Sequence, residues 1–441
     1  MAVRRSSPYN SCIHAIKILP LTRHGAELRT LALRSREVVV LAALVGFGTG
    51  LGVAVFDRIV AVEMLDRLLA GPAWLIAVAP VAGLLLSTAI LKAGGGLTPS
   101  TSDEYIANVH LDSDLELPPL PWRLAAAVAS LGSGVPGGLE GPSIYLGAGL
   151  GTAVQAWFRR AFGPTAAKTL MIAGAAAGVA AIFKAPATGA VFALEVPYRD
   201  DLARHQLVPS LVGAASGYLA FVALNGTQPL LEVIGRAPFD VRDLLGAVAL
   251  GIGTGLIIRS YAAALRRAKS FRSQVSPWAA AALGGVVVAG AALAGRSLTG
   301  EWVGLTPGYD VIVWAAEPGH GLGLLLLVLG IRLVGTVASV AGGGVIGLFV
   351  PLVVAGALIG QFAGGLLDAP NSTLFVVIGV AAALGAGYRV PLAAIVFVAE
   401  ATGRPDFLVP GLFAAVAADL IMGTSSVTDY QRSGAQAAEA S

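Results

Sequence analysis

Residues 138–142 read Gly-Leu-Glu-Gly-Pro, and 209 positions later residues 347–351 read Gly-Leu-Phe-Val-Pro. The likeness extends without a gap on both sides, so that residues 128–151 match residues 337–360. The chain therefore consists of two related halves. Membrane transporters built from duplicated halves place their substrate site near the bilayer midplane, where interrupted helices of both halves meet.

The composition is that of an integral membrane protein. Hydrophobic residues make up 56% of the 441 residues and charged residues only 12%, with a mean hydropathy of +0.78. Soluble domains carry roughly 25% charged residues. The apolar runs do not alternate as barrel strands do, so we predict an all-α polytopic protein with tilted and broken helices in the lipid bilayer.

The basic residues indicate the topology. They cluster in the N-terminal tail and in residues 259–272, a stretch without an acidic residue. Positive loops stay cytoplasmic, which predicts a cytoplasmic N-terminus in a plasma (inner) membrane. Nucleic-acid binding by the tail is the less favoured alternative, and we predict none. Cys12 is the only cysteine, which excludes an internal disulfide and a thiolate metal site.

Motifs for enzymatic chemistry are absent from the sequence. It has no phosphate loop, no His-Glu-x-x-His zinc motif and no Gly-x-Ser-x-Gly elbow. The five histidines lack metal-ligand spacing. We therefore predict a protein that is not an enzyme and that holds no cofactor and no metal.

Polar and proline-containing stretches divide the chain. The predicted segments are an N-terminal cytoplasmic tail (1–36), a first membrane half-repeat (37–225), a linker (226–240), a second membrane half-repeat (241–422) and a C-terminal segment (423–441).

The glycine-rich breaks predict an anion site. A break at membrane depth exposes backbone amides that lipid cannot satisfy. Pro142 and Pro351 suit the first turn of a new helix in each half. Two helix N-termini aimed at one place present free N–H groups and two positive dipole ends, which together bind a negative charge.

Glu140 lies where that anion would bind. A carboxylate buried in a membrane marks an ion pathway or a proton relay by default. When ionised it would occupy the helix N-termini, and when protonated it would leave them to a mobile anion. We therefore predict that Glu140 is a gate that binds protons. The alternative is a structural cap or an interhelical hydrogen bond.

A second pair of matched sequence windows lies downstream, at an offset of 205, and both windows carry charged residues. Lys184 and Glu195 recur as Arg389 and Glu400. Opposite charges that recur at one spacing either pin helix ends or conduct ions. We favour the structural interpretation here.

These motifs resemble a known family. Residues 138–142 are similar to the Gly-Lys/Arg-Glu-Gly-Pro signature of the CLC chloride channels and chloride/proton exchangers, and residues 347–351 match its Gly-x-Phe-x-Pro signature. The resemblance implies a homodimer of subunits that each carry a pore built from two inverted halves. It implies that Glu140 is the external gating glutamate. It also assigns the anion sites to the backbone of Gly138, Leu139, Gly141, Leu348, Phe349 and Val350.

Two departures from the family affect the anion site. Leu139 stands where the family usually has Lys or Arg, which removes a positive charge beside the gate. When the Gly-Ser-Gly-Ile-Pro motif is anchored on Pro99, Gly96 takes the place of the chloride-binding serine. That hydroxyl is then absent, or it is supplied by Thr98 or Ser100.

Two further departures affect coupling and the inner gate. Val196 occupies the position of the internal proton glutamate of the exchangers. The family's Ser-x-Tyr-x-x-Gln pattern puts Thr428 where the central tyrosine stands, while the nearby tyrosine is Tyr430. Either residue is a candidate for the anion pathway.

The sequence alone favours passive, proton-gated conduction of chloride or a similar small anion, because Val196 cannot relay protons. The alternative is chloride/proton exchange that uses a water path. A fluoride exporter is less favoured because Pro142 keeps the chloride-type signature. A sodium-coupled solute carrier is less favoured because cation-binding carboxylates are scarce.

Overall fold

The computed structural model describes residues 21–111, 114–158, 164–228, 239–317, 319–367 and 372–439. Cys12, most of the predicted linker and the ends of both terminal segments lie outside these residues. Within the described ranges the chain is helical and has no β-strand. The α-helices are α1 (Leu21–Asp57), α2 (Arg67–Leu69), α3 (Ala73–Ala93), α4 (Ser102–His110), α5 (Leu120–Gly132), α6 (Glu140–Trp157), α7 (Pro164–Phe183), α8 (Pro186–Glu195), α9 (Leu207–Asn225), α10 (Val241–Gln274), α11 (Pro277–Thr299), α12 (Tyr309–Ala316), α13 (Leu322–Ala341), α14 (Phe349–Leu366), α15 (Ser372–Tyr388), α16 (Pro391–Thr402), α17 (Leu408–Met422) and α18 (Gly434–Glu439).

Long and short apolar helices coexist. In the described part of the chain, eight helical stretches are long and apolar enough to cross a membrane. Three other apolar stretches, residues 168–183, 373–388 and 391–402, have only 10–17 residues. A helix needs about 20 residues to cross the hydrocarbon core. The prediction of a polytopic all-α protein with broken helices is confirmed.

Glycines bring the helices of each half into backbone contact. A Cβ at Gly147 of α6 would collide with the Gly174 carbonyl of α7. The matched residues of the second half, Gly356 of α14 and Gly379 of α15, show the same relationship. Small residues allow this approach where lipid supplies no hydrophobic drive for helix association. The two halves therefore share their packing as well as their sequence.

The two halves meet at Gly138 and Gly347. The Gly138 N–H donates to the Gly347 carbonyl over 2.9 Å, and the Gly347 N–H donates to the Gly138 carbonyl over 2.7 Å. The bridge is antiparallel. Each glycine thus pairs with its own counterpart in the repeat, which places both on the axis that relates the halves. The antiparallel direction fits an inverted repeat.

Candidate anion site

Two helices begin beside this bridge, one from each half. α6 begins at Glu140 and α14 begins at Phe349, and both residues are fully buried. Pro142 and Pro351 lie in the first turns of these helices. A backbone N–H at such a position has no helical carbonyl to donate to, so proline, which lacks the N–H, costs no hydrogen bond there. Two positive helix ends therefore face one buried location.

The Glu140 carboxylate occupies the N-terminus of the opposite half's helix. Its Oε1 accepts a hydrogen bond of 2.5 Å from the Phe349 N–H. Its Oε2 is buried without a hydrogen-bond partner in the described part of the chain. A Cβ at Gly138 or Gly347 would collide with this carboxylate, so both glycines are needed for its approach. No Lys or Arg among the described residues forms an ion pair with Glu140. The N-terminus of α14 therefore stabilises the negative charge of Glu140.

A third helix N-terminus brings two hydroxyls to the site. A Cβ at Gly141 would lie 2.8 Å from Thr101 Oγ1 and 3.2 Å from Ser102 Oγ, at the start of α4. The Ser102 Oγ is buried and has no hydrogen-bond partner among the described residues. It is therefore free to donate to an anion.

The sequence analysis named Thr98 and Ser100 as candidates for this hydroxyl, and both line the same cavity as Ser102. Gly96 is in a turn with φ of +79°. Thr98 accepts hydrogen bonds from the Arg123 side chain with its carbonyl (3.1 Å) and its hydroxyl (3.3 Å). The available signal was the Thr-Ser pair followed by two acidic residues, which is typical of a helix start.

A tyrosine that the sequence interpretation missed also reaches the site. The Tyr388 hydroxyl accepts from the Leu348 N–H over 3.3 Å, and its ring is 1% exposed. The ring packs against Phe192 with the centroids 5.3 Å apart. Its counterpart in the first half is Phe183, so the repeat differs there by one hydroxyl. That difference was the signal that could have identified it.

The predicted inner-gate residues lie farther along one cavity. This cavity of about 670 Å³ leads away from Leu348 and Tyr388 and is lined by Gly96, Thr98, Ser102, Thr428 and Tyr430, among others. Thr428 is buried and 3.0 Å from the Ser426 hydroxyl, whereas Tyr430 is 64% exposed. We call this cavity the vestibule.

An ion-paired cluster lies in the wall of the vestibule. The Lys269 Nζ is 2.7 Å from a carboxylate oxygen of Asp103 and 2.7 Å from one of Asp429. The Asp429 N–H also donates to Asp103 over 2.9 Å. Lys269 thus ties the C-terminal segment to the start of α4.

Val196 directly follows α8 and is buried. Its carbonyl accepts a hydrogen bond of 2.8 Å from the Gln431 Nε2, which also donates to the Tyr388 carbonyl over 2.8 Å. The Gln431 side chain therefore links Val196 to Tyr388, the residue beside the candidate anion site.

Comparison with known proteins identifies the relatives of this arrangement. The sequence model of a family described as "Voltage gated chloride channel" matches residues 78–423. The chain is 28% identical over 436 residues to the H(+)/Cl(−) exchange transporter ClcA of Salmonella paratyphi A (strain ATCC 9150 / SARB42), covering 90% of this chain and 89% of that protein. It is 27% identical over 427 residues to the ClcA of Yersinia pestis bv. Antiqua (strain Angola), covering 90% and 88%.

Solved structures share the fold. A slow cyanobacterial Cl−/H+ antiporter superposes with a TM-score of 0.78 at 22% identity, over 88% of this chain and 96% of that one. A CLC-type fluoride/proton antiporter superposes with a TM-score of 0.72 at 22% identity, over 92% and 99%. The predicted inverted-repeat architecture is confirmed.

Proposed function

Because this chain belongs to the voltage-gated chloride channel family, we propose that it exchanges chloride, or a similar small anion, for protons across the membrane. The chain is an integral, multi-pass membrane protein, and anion transport is the activity of its family. The observation that carries the proposal is the Glu140 carboxylate on the Phe349 N–H, 2.5 Å away. The buried Glu140 carboxyl group can bind a proton or, when ionised, occupy the position of an anion.

The exchange follows from competition for the N-terminus of α14. The ionised Glu140 carboxylate accepts the Phe349 hydrogen bond and excludes an anion from it. The protonated carboxyl group has no net charge, so the helix dipole and the free N–H groups then favour a mobile anion. The side chain leaves with its proton and the anion enters. Deprotonation on the other side returns the carboxylate and displaces the anion.

Hydroxyl and amide donors replace water around the anion. The Phe349 N–H becomes available when Glu140 leaves, and the Leu348 N–H and the Tyr388 hydroxyl lie beside it. The Ser102 Oγ is the further donor from the vestibule side. A ring of such dipoles, rather than a fixed cation, lets the anion bind and still leave.

Passive, proton-gated conduction is the second candidate, and Val196 is the observation that favours it. A valine cannot relay protons between Glu140 and the vestibule side of the protein. We prefer exchange because the relatives along about nine-tenths of the chain are named as exchangers.

Flux measurements on purified protein in liposomes test the proposal. An outward chloride gradient should drive protons against their own gradient, at a constant ratio of anions to protons. The same vesicles loaded with fluoride serve as a comparison for selectivity. Chloride efflux that moves no proton uphill would reject exchange and leave passive conduction.

A further inference from the structure

Exchange brings protons to Glu140 from the vestibule side of the protein, and four carboxylates in this region are already engaged. Asp103 and Asp429 both pair with Lys269. Glu104 is 3.3 Å from the Arg123 guanidinium. Glu195 accepts hydrogen bonds from two backbone N–H groups of α16. These four carboxylates are therefore already held by charged or backbone partners.

His110 lies beside the position that lacks a glutamate. It ends α4, and its Nε2 is 2.7 Å from the carbonyl oxygen of Pro197, the residue after Val196. Its ring packs edge-on against Tyr198, with the centroids 5.2 Å apart. α4 begins at Ser102, so its two ends are separated by roughly 12 Å. One helix therefore joins the anion site to His110.

The contact with Pro197 fixes which nitrogen is basic. A carbonyl oxygen only accepts hydrogen bonds, so the Nε2 carries the hydrogen in this contact. The Nδ1 then has the lone pair in the neutral ring and can take up a proton. Protonation forms one N–H bond at Nδ1 and leaves the Pro197 contact intact. The imidazole can thus alternate between its neutral and protonated forms while its hydrogen bond to Pro197 is kept.

Polar groups continue from this region to Glu140. The Gln431 amide donates to the carbonyls of Val196 and Tyr388. The Gln431 Oε1 is buried without a hydrogen-bond partner in the part of the chain that the structure describes. It is an acceptor available to a proton-carrying water between Val196 and Tyr388. Beyond it, the Tyr388 hydroxyl accepts from Leu348, next to the residue that holds Glu140.

We propose that His110, next to the vestibule-lining Leu111, takes up and releases the transported proton on the vestibule side of the protein, and so supplies the titratable group that Val196 does not. This inference rests on the proposed exchange function.

The surroundings set the pH range of this step. Burial lowers the pKa of His110, the hydrogen bond to Pro197 raises it, and the positive charges of Arg432 and Lys168 lower it again, with a net decrease below 6.5. The ring is therefore mostly neutral near pH 7. Proton uptake should rise as the vestibule-side pH falls through this lowered pKa.

The test uses His110→Gln, which keeps a donor for the Pro197 carbonyl but does not titrate. In the liposome assay we expect its proton flux to fall by about tenfold or more while chloride flux stays within about twofold, since a positioned proton acceptor contributes roughly 10²–10⁴-fold. His205→Gln, at an exposed histidine, is the matched control and should match the wild type. The double variant His110→Gln/Val196→Glu should recover proton flux, and His110→Glu should retain it with its pH profile moved to lower pH.

The outcomes separate the two proposals. Wild-type protein that moves no proton uphill overturns exchange and this inference together. Coupled wild-type protein with an unchanged ratio in His110→Gln overturns only the role of His110. If His110→Gln loses chloride flux as well and Val196→Glu restores neither flux, the residue is structural and the inference is wrong.

Discussion

Two junctions between the halves of this protein are built alike, and we propose that only one of them binds an anion. At the α8–α16 junction, Glu195 accepts from the N–H groups of Leu392 (3.1 Å) and Ala393 (2.8 Å). Glu400 accepts in return from the N–H groups of Ala187 (2.9 Å) and Thr188 (2.7 Å). Each helix N-terminus there holds a carboxylate of the other half.

At the α6–α14 junction the counterpart of Glu140 is Phe349. One carboxylate therefore serves two helix N-termini. Two carboxylates close such a junction, whereas in the proposed mechanism a single mobile carboxylate leaves positive helix ends for an anion to share. Glu195 and Glu400 thus have the structural role that their recurrence suggested.

The largest expected effect is that of Glu140→Gln. The variant cannot titrate, so proton flux should fall to the level of empty liposomes and pH dependence should disappear, while chloride flux remains. Chloride and proton fluxes recorded on the same vesicles measure this. Glu400→Gln is the matched control, and it should keep the wild-type ratio of anions to protons. Uphill proton movement by Glu140→Gln would contradict the account.

The next effect is on stability at the closed junction. Glu400→Gln should lower the free energy of unfolding by about 2–3 kcal/mol, because charge-assisted hydrogen bonds to buried groups contribute roughly 1.5–3 kcal/mol each. Chemical unfolding of the solubilised protein measures it. Glu140→Gln should change stability less, since the Phe349 N–H that donates to its carboxylate can be occupied by an anion instead. Equal losses in both variants would remove the distinction between the junctions.

A smaller effect concerns the hydroxyls at the open junction. Ser102→Ala and Tyr388→Phe should each weaken chloride binding by about 1 kcal/mol, roughly fivefold in Kd. Calorimetric titration with chloride in a Glu140→Gln background measures this directly. Tyr430→Phe, at an exposed tyrosine, is the control and should bind like its parent. Weaker binding in Tyr430→Phe alone would instead assign the anion pathway to Tyr430, one of the two candidates from the sequence.

The smallest effect is expected at Thr188, whose hydroxyl donates to Glu400 over 2.6 Å. Thr188→Val keeps the shape of the side chain and removes this bond, which should lower the free energy of unfolding by roughly 0.5–1 kcal/mol, because Glu400 keeps its two N–H donors. In the double variant with Glu400→Gln the loss should be less than additive, because both residues belong to one network. Full additivity would show that the hydroxyl does not stabilise the carboxylate.

The features that repeat in the sequence could be predicted from it. The two related halves, the broken helices and the place of Glu140 follow from glycine and proline at two fixed offsets, because these residues act through the local backbone. The inverted orientation of the halves was implied only by the family resemblance. The hydroxyl donors could not be placed this way. Ser102 is brought to the site by the path of the loop before α4, and Tyr388 by the end of α15. A motif anchored on Pro99 or on the C-terminal segment cannot show either of these.

The most direct test is to locate the anion itself. Crystals of Glu140→Gln grown in bromide should show an anomalous peak within hydrogen-bond distance of the Phe349 N–H, where the wild-type carboxylate lies. Bromide found only near the charged vestibule residues, with no peak at Phe349, would contradict the claim that Glu140 and the transported anion compete for one helix N-terminus.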